Sequence, residues 1–289
     1  MITGGTGRIG SLLVDELRRR GDEVTVLSRS RGDVRWDPNS GPAPSEALAG
    51  RDAVVHLAGE DIAQRWNDES LRRIHDSREI GTRHLVEGLR AAEPRPRALV
   101  CASAVGYYGH RSDRIDEDAP PGDDVLADVC KAWEREAQRA EELGVRVARV
   151  RTGIVLDRHG GALQKMLLPF RLGVGGPVAG GRQPMPWIHL ADVIGIYLAA
   201  IDDERWTGAF NATAPEPVSN RDFSKALGRA LRRPAILPVP GFVIRALYGG
   251  MAKLVVEGQN AVPRRATELE YRHRHPELDE ALRSALRDT

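Results

Sequence analysis

Two cysteines, four lysines and 5% aromatic residues are all that 289 amino acids contain of these types, and neither sign of charge prevails, since 42 basic side chains face 41 acidic ones. Cys101, in an apolar run, and Cys130, in a helix-like one, are too few for a disulfide framework, so a reducing compartment, the cytoplasm, is the expectation. A net charge of +1, with 38 scattered arginines, gives no electrostatic reason for a nucleic-acid or anionic-membrane partner. The longest apolar run, near Val193 to Ile201, is too short to span a bilayer, and no charged-then-apolar signal pattern opens the chain. The eight histidines show no metal-ligand spacing with Cys or Asp, so no metal is expected. Among them His56 reads as a packed strand residue, and His273 and His275, two apart, read as surface residues. The length suits one large domain with a smaller appended lobe.

Glycine is not scarce, and its placement is the chain's most informative feature. Gly4, Thr6, Gly7, Arg8, Ile9 and Gly10 form a G-x-x-G-x-x-G turn between a short strand and a helix. Gly4 suits the tight turn, Gly7 lets backbone approach phosphate oxygens, and Gly10 permits close helix–strand packing, with the helix-start amides facing an anion. The context agrees: Ile9, Leu12, Leu13 and Leu17 repeat at helical spacing, Gly21 stops the helix, and Glu23–Ser28 reads as the next strand. Only Met1, Ile2 and Thr3 precede the glycines, so further residues of that strand are expected upstream of Met1.

Strand and helix patterns then alternate, which predicts an α/β doubly wound parallel sheet. The strands are placed at Glu23–Ser28, Ala53–Leu57, Ala98–Ser103 and Arg146–Thr152, the helices at about Ile9–Arg20, Asn67–Arg90 and Asp123–Leu143. Past Thr152 the texture becomes loop-rich, with a helix from Leu190, one capped by Ser219 with Asp222 at its third position, and others near Phe242–Val256 and Pro276–Arg287. Residues 1–155 with 186–213 are expected to bind a dinucleotide, and 156–185 with 214–289 to form a smaller, mostly helical substrate lobe.

The second strand ends in Ser28-Arg29-Ser30-Arg31, without the carboxylate that grips an NAD ribose. Arg29 suits a 2′-phosphate, with Ser28 and Ser30 as further donors, which points to NADP(H). Leu57, Ala58 and Gly59 supply small residues where backbone lies against the adenosine. The strand ending at Ser103 delivers a hydroxyl to the carboxyl edge of the sheet, followed by Tyr107 and Tyr108, either of which could serve as an acid or simply pack in the turn. Arg151, Thr152 and Gly153 end a strand at the same edge and are expected to meet the nicotinamide amide.

These motifs together resemble the extended short-chain dehydrogenase/reductases, the group of sugar-nucleotide epimerases, dehydratases and reductases. Within that group, Ser103 through Gly109, Cys130-Lys-Ala-Trp-Glu134, Arg151 through Leu156, Gly160 through Leu163, Pro169-Phe170-Arg171 and Trp187-Ile188-His189 resemble an atypical epimerase-like subfamily. The segment holding Pro263-Arg264-Arg265 and Tyr271 to Pro276 resembles that subfamily's closing domain of unknown function. Ordinary members carry Tyr-x-x-x-Lys on the helix after the Ser strand, the lysine lowering the tyrosine pKa. Here that helix has no tyrosine: with Lys131 as the motif lysine the partner is Ala127, and with Glu134 setting the register the pair is Leu126 and Cys130. Lys131 reads either as the cation near the nicotinamide or as an exposed helix lysine; Trp133 and Glu134 read as core and as an arginine's partner. Arg182, Gln183, Trp187 and His189 fall where relatives face substrate, which implies a small-molecule substrate, nucleotide-linked or phosphorylated, although Trp187 suits the core. The expected protein is a monomer or homodimer, and either an NADP(H)-dependent epimerase-like oxidoreductase with a non-standard acid or a cofactor-binding regulatory scaffold without turnover.

Overall fold

The glycine turn, the alternating strands and the buried helix faces meet in one parallel sheet. The computed structural model describes residues 1–287, the side chains of 247 and 248 excepted. Seven strands, β1 (Ile2–Thr3), β2 (Val26–Ser28), β3 (Val34–Arg35), β4 (Ala53–His56), β5 (Ala98–Ala104), β6 (Arg146–Thr152) and β7 (Gly208–Ala212), lie in the order β3-β2-β1-β4-β5-β6-β7. Every pairing in it is parallel. The order reverses at β1, so a crevice opens at the carboxyl edge between β1 and β4, where doubly wound sheets bind ligands.

Helices cover both faces, each held by an apolar stripe. Helix α1 (Arg8–Arg19) buries Leu13, Val14 and Leu17 on one face, together with Val193, Ile196, Tyr197 and Ala200 of α4 (Leu190–Asp202). On the other face α2 (Asp68–Ala91) contributes Leu85, Val86 and Leu89, and α3 (Val125–Gln138) contributes Trp133 and Ala137. Local chemistry sets the starts: Asn67 and Ser70 form a reciprocal capping box on α2, and the Asp124 carboxylate accepts the amides of Leu126 and Ala127 on α3.

A third cluster, Leu156, Leu163, Leu167, Phe170, Met185, Trp187, Phe223, Leu227 and Leu282, lies outside the sheet and packs the helices Gly161–Arg171, Asn220–Leu231 and Leu278–Arg287 together. Ser219 caps the second of these through the Asp222 amide, as its sequence predicts. The span 242–256 is two short helices, Gly241–Tyr248 and Lys253–Val256, because Gly249 at φ +59 ends the first. His273 and His275 are half-buried rather than superficial: the first bonds the Thr213 carbonyl at 2.9 Å, and the second lies against the His189 ring. The same tail is clamped by Asp192, fully buried at the start of α4, whose carboxylate accepts the amides of Arg274 at 2.6 Å and His275 at 3.1 Å. Among the described residues no helix is long and apolar enough to cross a membrane.

Candidate active site

The glycine turn is a cradle that side chains would fill. A Cβ on Gly10 would lie 2.2 Å from the Gly4 carbonyl oxygen, and one on Gly4, itself at φ +69, would lie 2.6 Å from the Leu57 carbonyl carbon. Leu57 and Ala58 therefore form the wall against which the turn closes. Gly7 starts α1 without any side-chain cap, so the first amides of that helix are not claimed by the protein's own side chains. Arg8 contributes backbone here, because its guanidinium is held by the buried Asp157 carboxylate through bonds of 2.6 and 3.1 Å.

At the tip of β2, Arg29 and Ser30 are exposed, and Arg29 forms no ion pair among the described residues. The Ser28 hydroxyl is used locally, accepting the amides of Ser30 and Arg31 at 3.4 Å each. A recess of about 410 Å³ opens beside the glycine turn, lined by Gly5, Thr6, Ser11, Arg18, Arg31 and Gly32. Arg31, which the sequence reading left without a role, thus joins Arg29 as a second free guanidinium at this edge. Beneath the turn His56 is a packed strand residue, as expected. It is bonded to Thr3 and Thr82 at 2.6 and 3.1 Å, and burial, with Arg78 close by, pushes its pKa down to about 4.

The far half of the crevice is built from side chains bonded to one another. Ser103 donates its hydroxyl to Glu134 at 2.7 Å, and Glu134 is the acceptor for Arg151 at 2.7 and 2.8 Å and for Arg149 at 3.0 Å. Arg151 in turn donates to the Tyr108 hydroxyl at 2.8 Å, which donates to Asn211 at 2.7 Å, and the Asn211 amide meets Glu117 at 3.0 Å. Burial works against the Arg151 cation, but its bonds to Glu134 outweigh that and hold its pKa above the ordinary value. Burial likewise pushes Tyr108 up to about 12 despite Arg151, so its proton stays on the phenol, committed to Asn211.

Four expected residues are placed differently by this network. Ser103 and Tyr108 are buried members of it rather than open groups, and the Arg151 side chain belongs to it too, under the tyrosines instead of at the crevice wall. Lys131 turns outward, with Nζ 2.7 Å from Asp128 and 3.3 Å from the Gly122 carbonyl. The α3 residues facing the Gly106 turn are Leu126 and Cys130, the latter with a buried thiol. Burial, with Glu134 nearby, pushes that thiol up to about 12.

Tyr107 is the exception. Its ring lies 3.5 Å from the Arg151 guanidinium and edge-on to Tyr108, it is half-buried, and its phenol bonds no described residue. Thr152 bonds the Val150 carbonyl at 3.4 Å, and Gly153 is required where a Cβ would strike the Pro186 carbonyl at 2.1 Å. Across the crevice, Lys165 reaches the Ala63 carbonyl at 2.6 Å and Trp66 bridges Gly249, so the segment after β4 is tied to the helical cluster. Of the group expected to face substrate, Gln183 is buried and donates to the Val178 and Val255 carbonyls, Trp187 is core, and His189 caps α4; of these four, Arg182 alone is exposed. Nothing in the sequence marks Asn211, Glu117 or Arg78 among so many polar residues; Glu134 was legible as an arginine's partner.

The model of the NAD dependent epimerase/dehydratase family matches residues 1–212, and that of a domain of unknown function (DUF1731) matches 239–285. The chain is 40% identical to the epimerase family protein SDR39U1 of Bos taurus, with 99% of each covered, and 34% identical to the epimerase family protein YfhF of Bacillus subtilis, over 99% of this chain and 97% of that one. The crystal structure of human SDR39U1 with NADPH superposes at a TM-score of 0.90, with 37% identity over 99% of both chains. A parallel sheet whose order reverses beside a glycine cradle, matched over its whole length by these relatives, makes the chain a member of the NAD dependent epimerase/dehydratase family.

Proposed function

We propose that the protein is an NADP(H)-binding, epimerase-like oxidoreductase. The observation that carries the reading is the pairing of a side-chain-free cradle, Gly4 to Gly10, with two unpaired guanidiniums, Arg29 and Arg31, at the tip of β2. A cradle that a Cβ would fill accepts backbone-bound pyrophosphate, and free arginines beside it suit a 2′-phosphate. The human relative crystallised with NADPH supports the same choice. The cofactor contacts assigned are the backbone of Gly4, Thr6, Gly7, Arg8, Ile9 and Gly10, the wall of Leu57, Ala58 and Gly59, Ser28, Arg29 and Ser30 at the phosphate, and Thr152 and Gly153 at the nicotinamide end. When bound, the nicotinamide supplies hydride transfer.

Of the residues expected to act, Tyr107 is assigned the proton-donor role, because its hydroxyl bonds no described residue where those of Ser103 and Tyr108 are engaged. Ser103, Glu134, Arg151 and Tyr108 position it, Arg151 by stacking on its ring. The sheet portion, 1–155 with 186–213, holds the cofactor, and 156–185 with 214–289 holds a small nucleotide-linked or phosphorylated substrate near Arg182. Two buried, unpaired cysteines suit the cytoplasm.

Fluorescence titration tests the cofactor assignment. Wild type binds NADPH about tenfold or more tightly than NADH, the scale of a charge-assisted phosphate contact, and Arg29→Asp removes most of that preference. Equal affinity of wild type for both cofactors overturns it.

A further inference from the structure

Arg78, on α2, is a charged group that the site has not yet used. Its guanidinium lies 4.9 Å from the centroid of the Trp133 ring and 3.4 to 3.5 Å from the position a Cβ on Gly59 would take. Only one of its nitrogens is strongly engaged: Nη1 donates to the carbonyls of Glu60 and Ile74, both at 3.1 Å, with the Ser77 hydroxyl at 3.5 Å. Nε and Nη2 bond no described residue, and no carboxylate lies within ion-pair reach. Three arginines nearby are answered by acids, Arg8 by Asp157, and Arg149 and Arg151 by Glu134. Burial depresses the Arg78 pKa, with the groups that oppose the shift being Cys130, Glu60 and Asp61, and the same charge depresses His56.

These contacts fix where the cation sits. It stands beside Gly59, just past the end of β4, and over Trp133 of α3. Arg78 is half-buried, and a cation with idle donors and no carboxylate in reach is open to the oxygens of a ligand. Cys130, in the register set by Glu134, stands where relatives carry a helix lysine, so the positive charge absent from α3 is present across the crevice on α2.

We propose that Arg78 binds the hydroxyls of the nicotinamide-side ribose of the dinucleotide, supplying from α2 the cationic contact that α3 has lost. The inference rests on the NADP(H) reading above. Arg78 acts as a cofactor-positioning residue: its idle Nε and Nη2 donate to ribose oxygens, and the Trp133 ring below and the Glu60 and Ile74 carbonyls beside it fix the direction of the fork.

The test compares two ligands on the full chain: NADPH, and adenosine 2′,5′-bisphosphate, which carries the 2′-phosphate half without pyrophosphate bridge or second ribose. Arg78→Ala is expected to weaken NADPH by about tenfold or more while leaving the bisphosphate within about twofold of wild type. Arg78→Lys is expected to recover most of the NADPH affinity, and Arg78→Gln, which keeps a donor for the carbonyls but drops the charge, to behave as Arg78→Ala. Thermal melting of each variant confirms folding, and Arg78→Gln and Arg78→Lys carry the comparison should Arg78→Ala not fold. Equal weakening of both ligands shows a merely structural residue and overturns the proposal, as does NADPH affinity unchanged in Arg78→Gln. Wild type binding the bisphosphate but not NADPH would also overturn it, whereas wild type binding neither ligand would bring down the cofactor reading itself.

Discussion

At the adenosine end of the crevice the chain withholds side chains, leaving Gly4, Gly7 and Gly10 bare and Arg29 and Arg31 unpaired, whereas at the nicotinamide end it supplies them and saturates them against one another, from Ser103 through Glu134 and Arg151 to Tyr108 and Asn211. The first arrangement recognises a ligand by backbone and stays incomplete without one. The second is bonded within itself and, among the described residues, leaves the Tyr107 phenol and the idle edge of Arg78 open to a ligand. One end is thus built for binding and the other for rigidity, and the contrast can be broken by experiment.

The largest effect falls on the saturated end. Glu134→Ala leaves Arg149 and Arg151 without their acceptor and is expected to cost about 3–5 kcal/mol in urea denaturation, the range for removing one partner of a buried pair. Arg29→Ala, at the open end, is expected to stay within about 0.5 kcal/mol of wild type. Comparable losses at both sites would erase the distinction. Next in size, Tyr107→Phe is expected to lower turnover on a true substrate by about 10²-fold, the scale of general acid catalysis, with melting temperature unchanged. Tyr108→Phe should do the reverse, losing stability with the Asn211 bond, and Lys131→Ala should alter neither; full activity in Tyr107→Phe removes it as the acid.

How much of this was legible follows from what each part is made of. The cradle, the parallel strands β4, β5 and β6, and the Ser219 cap announce themselves because spacing alone carries them. β7, Gly208–Ala212, escaped notice, since a strand of Gly-Ala-Phe-Asn-Ala lacks β-branched residues and gains its place by pairing with β6. The helix Gly161–Arg171 escaped because Pro169 lies inside it. At the site, the sequence shows that a hydroxyl, two phenols and a lysine are near one another, but not which are already bonded. Ser103 is taken by a residue 31 positions away and Tyr108 by one 103 positions away, distances over which no local pattern operates.

The smallest expected effect concerns the floor shared by both ends. His56 is neutral when buried, with a pKa near 4 against 6.5 when unfolded. The unfolded chain therefore gains a proton first as pH falls, so the His56 contribution is intact above about pH 6.5 and declines toward pH 4. Between pH 6.5 and 5 that amounts to about 2 kcal/mol, at 1.36 kcal/mol per unit. Urea midpoints measured across this window, in wild type and His56→Gln, check it; parallel slopes in the two proteins would assign the acid sensitivity elsewhere.

The clamp at Asp192 bears on how the molecule is made. Its partners, the amides of Arg274 and His275, lie 82 and 83 residues later in the chain. A ribosome adding about 5–20 residues per second needs roughly 4–16 seconds to cover that distance. Throughout that interval the sheet can assemble, yet the acid at the start of α4 lacks the two amides that it accepts in the folded chain. The bonds that hold this tail to the start of α4 therefore form late in synthesis, after the strands of the sheet have been made.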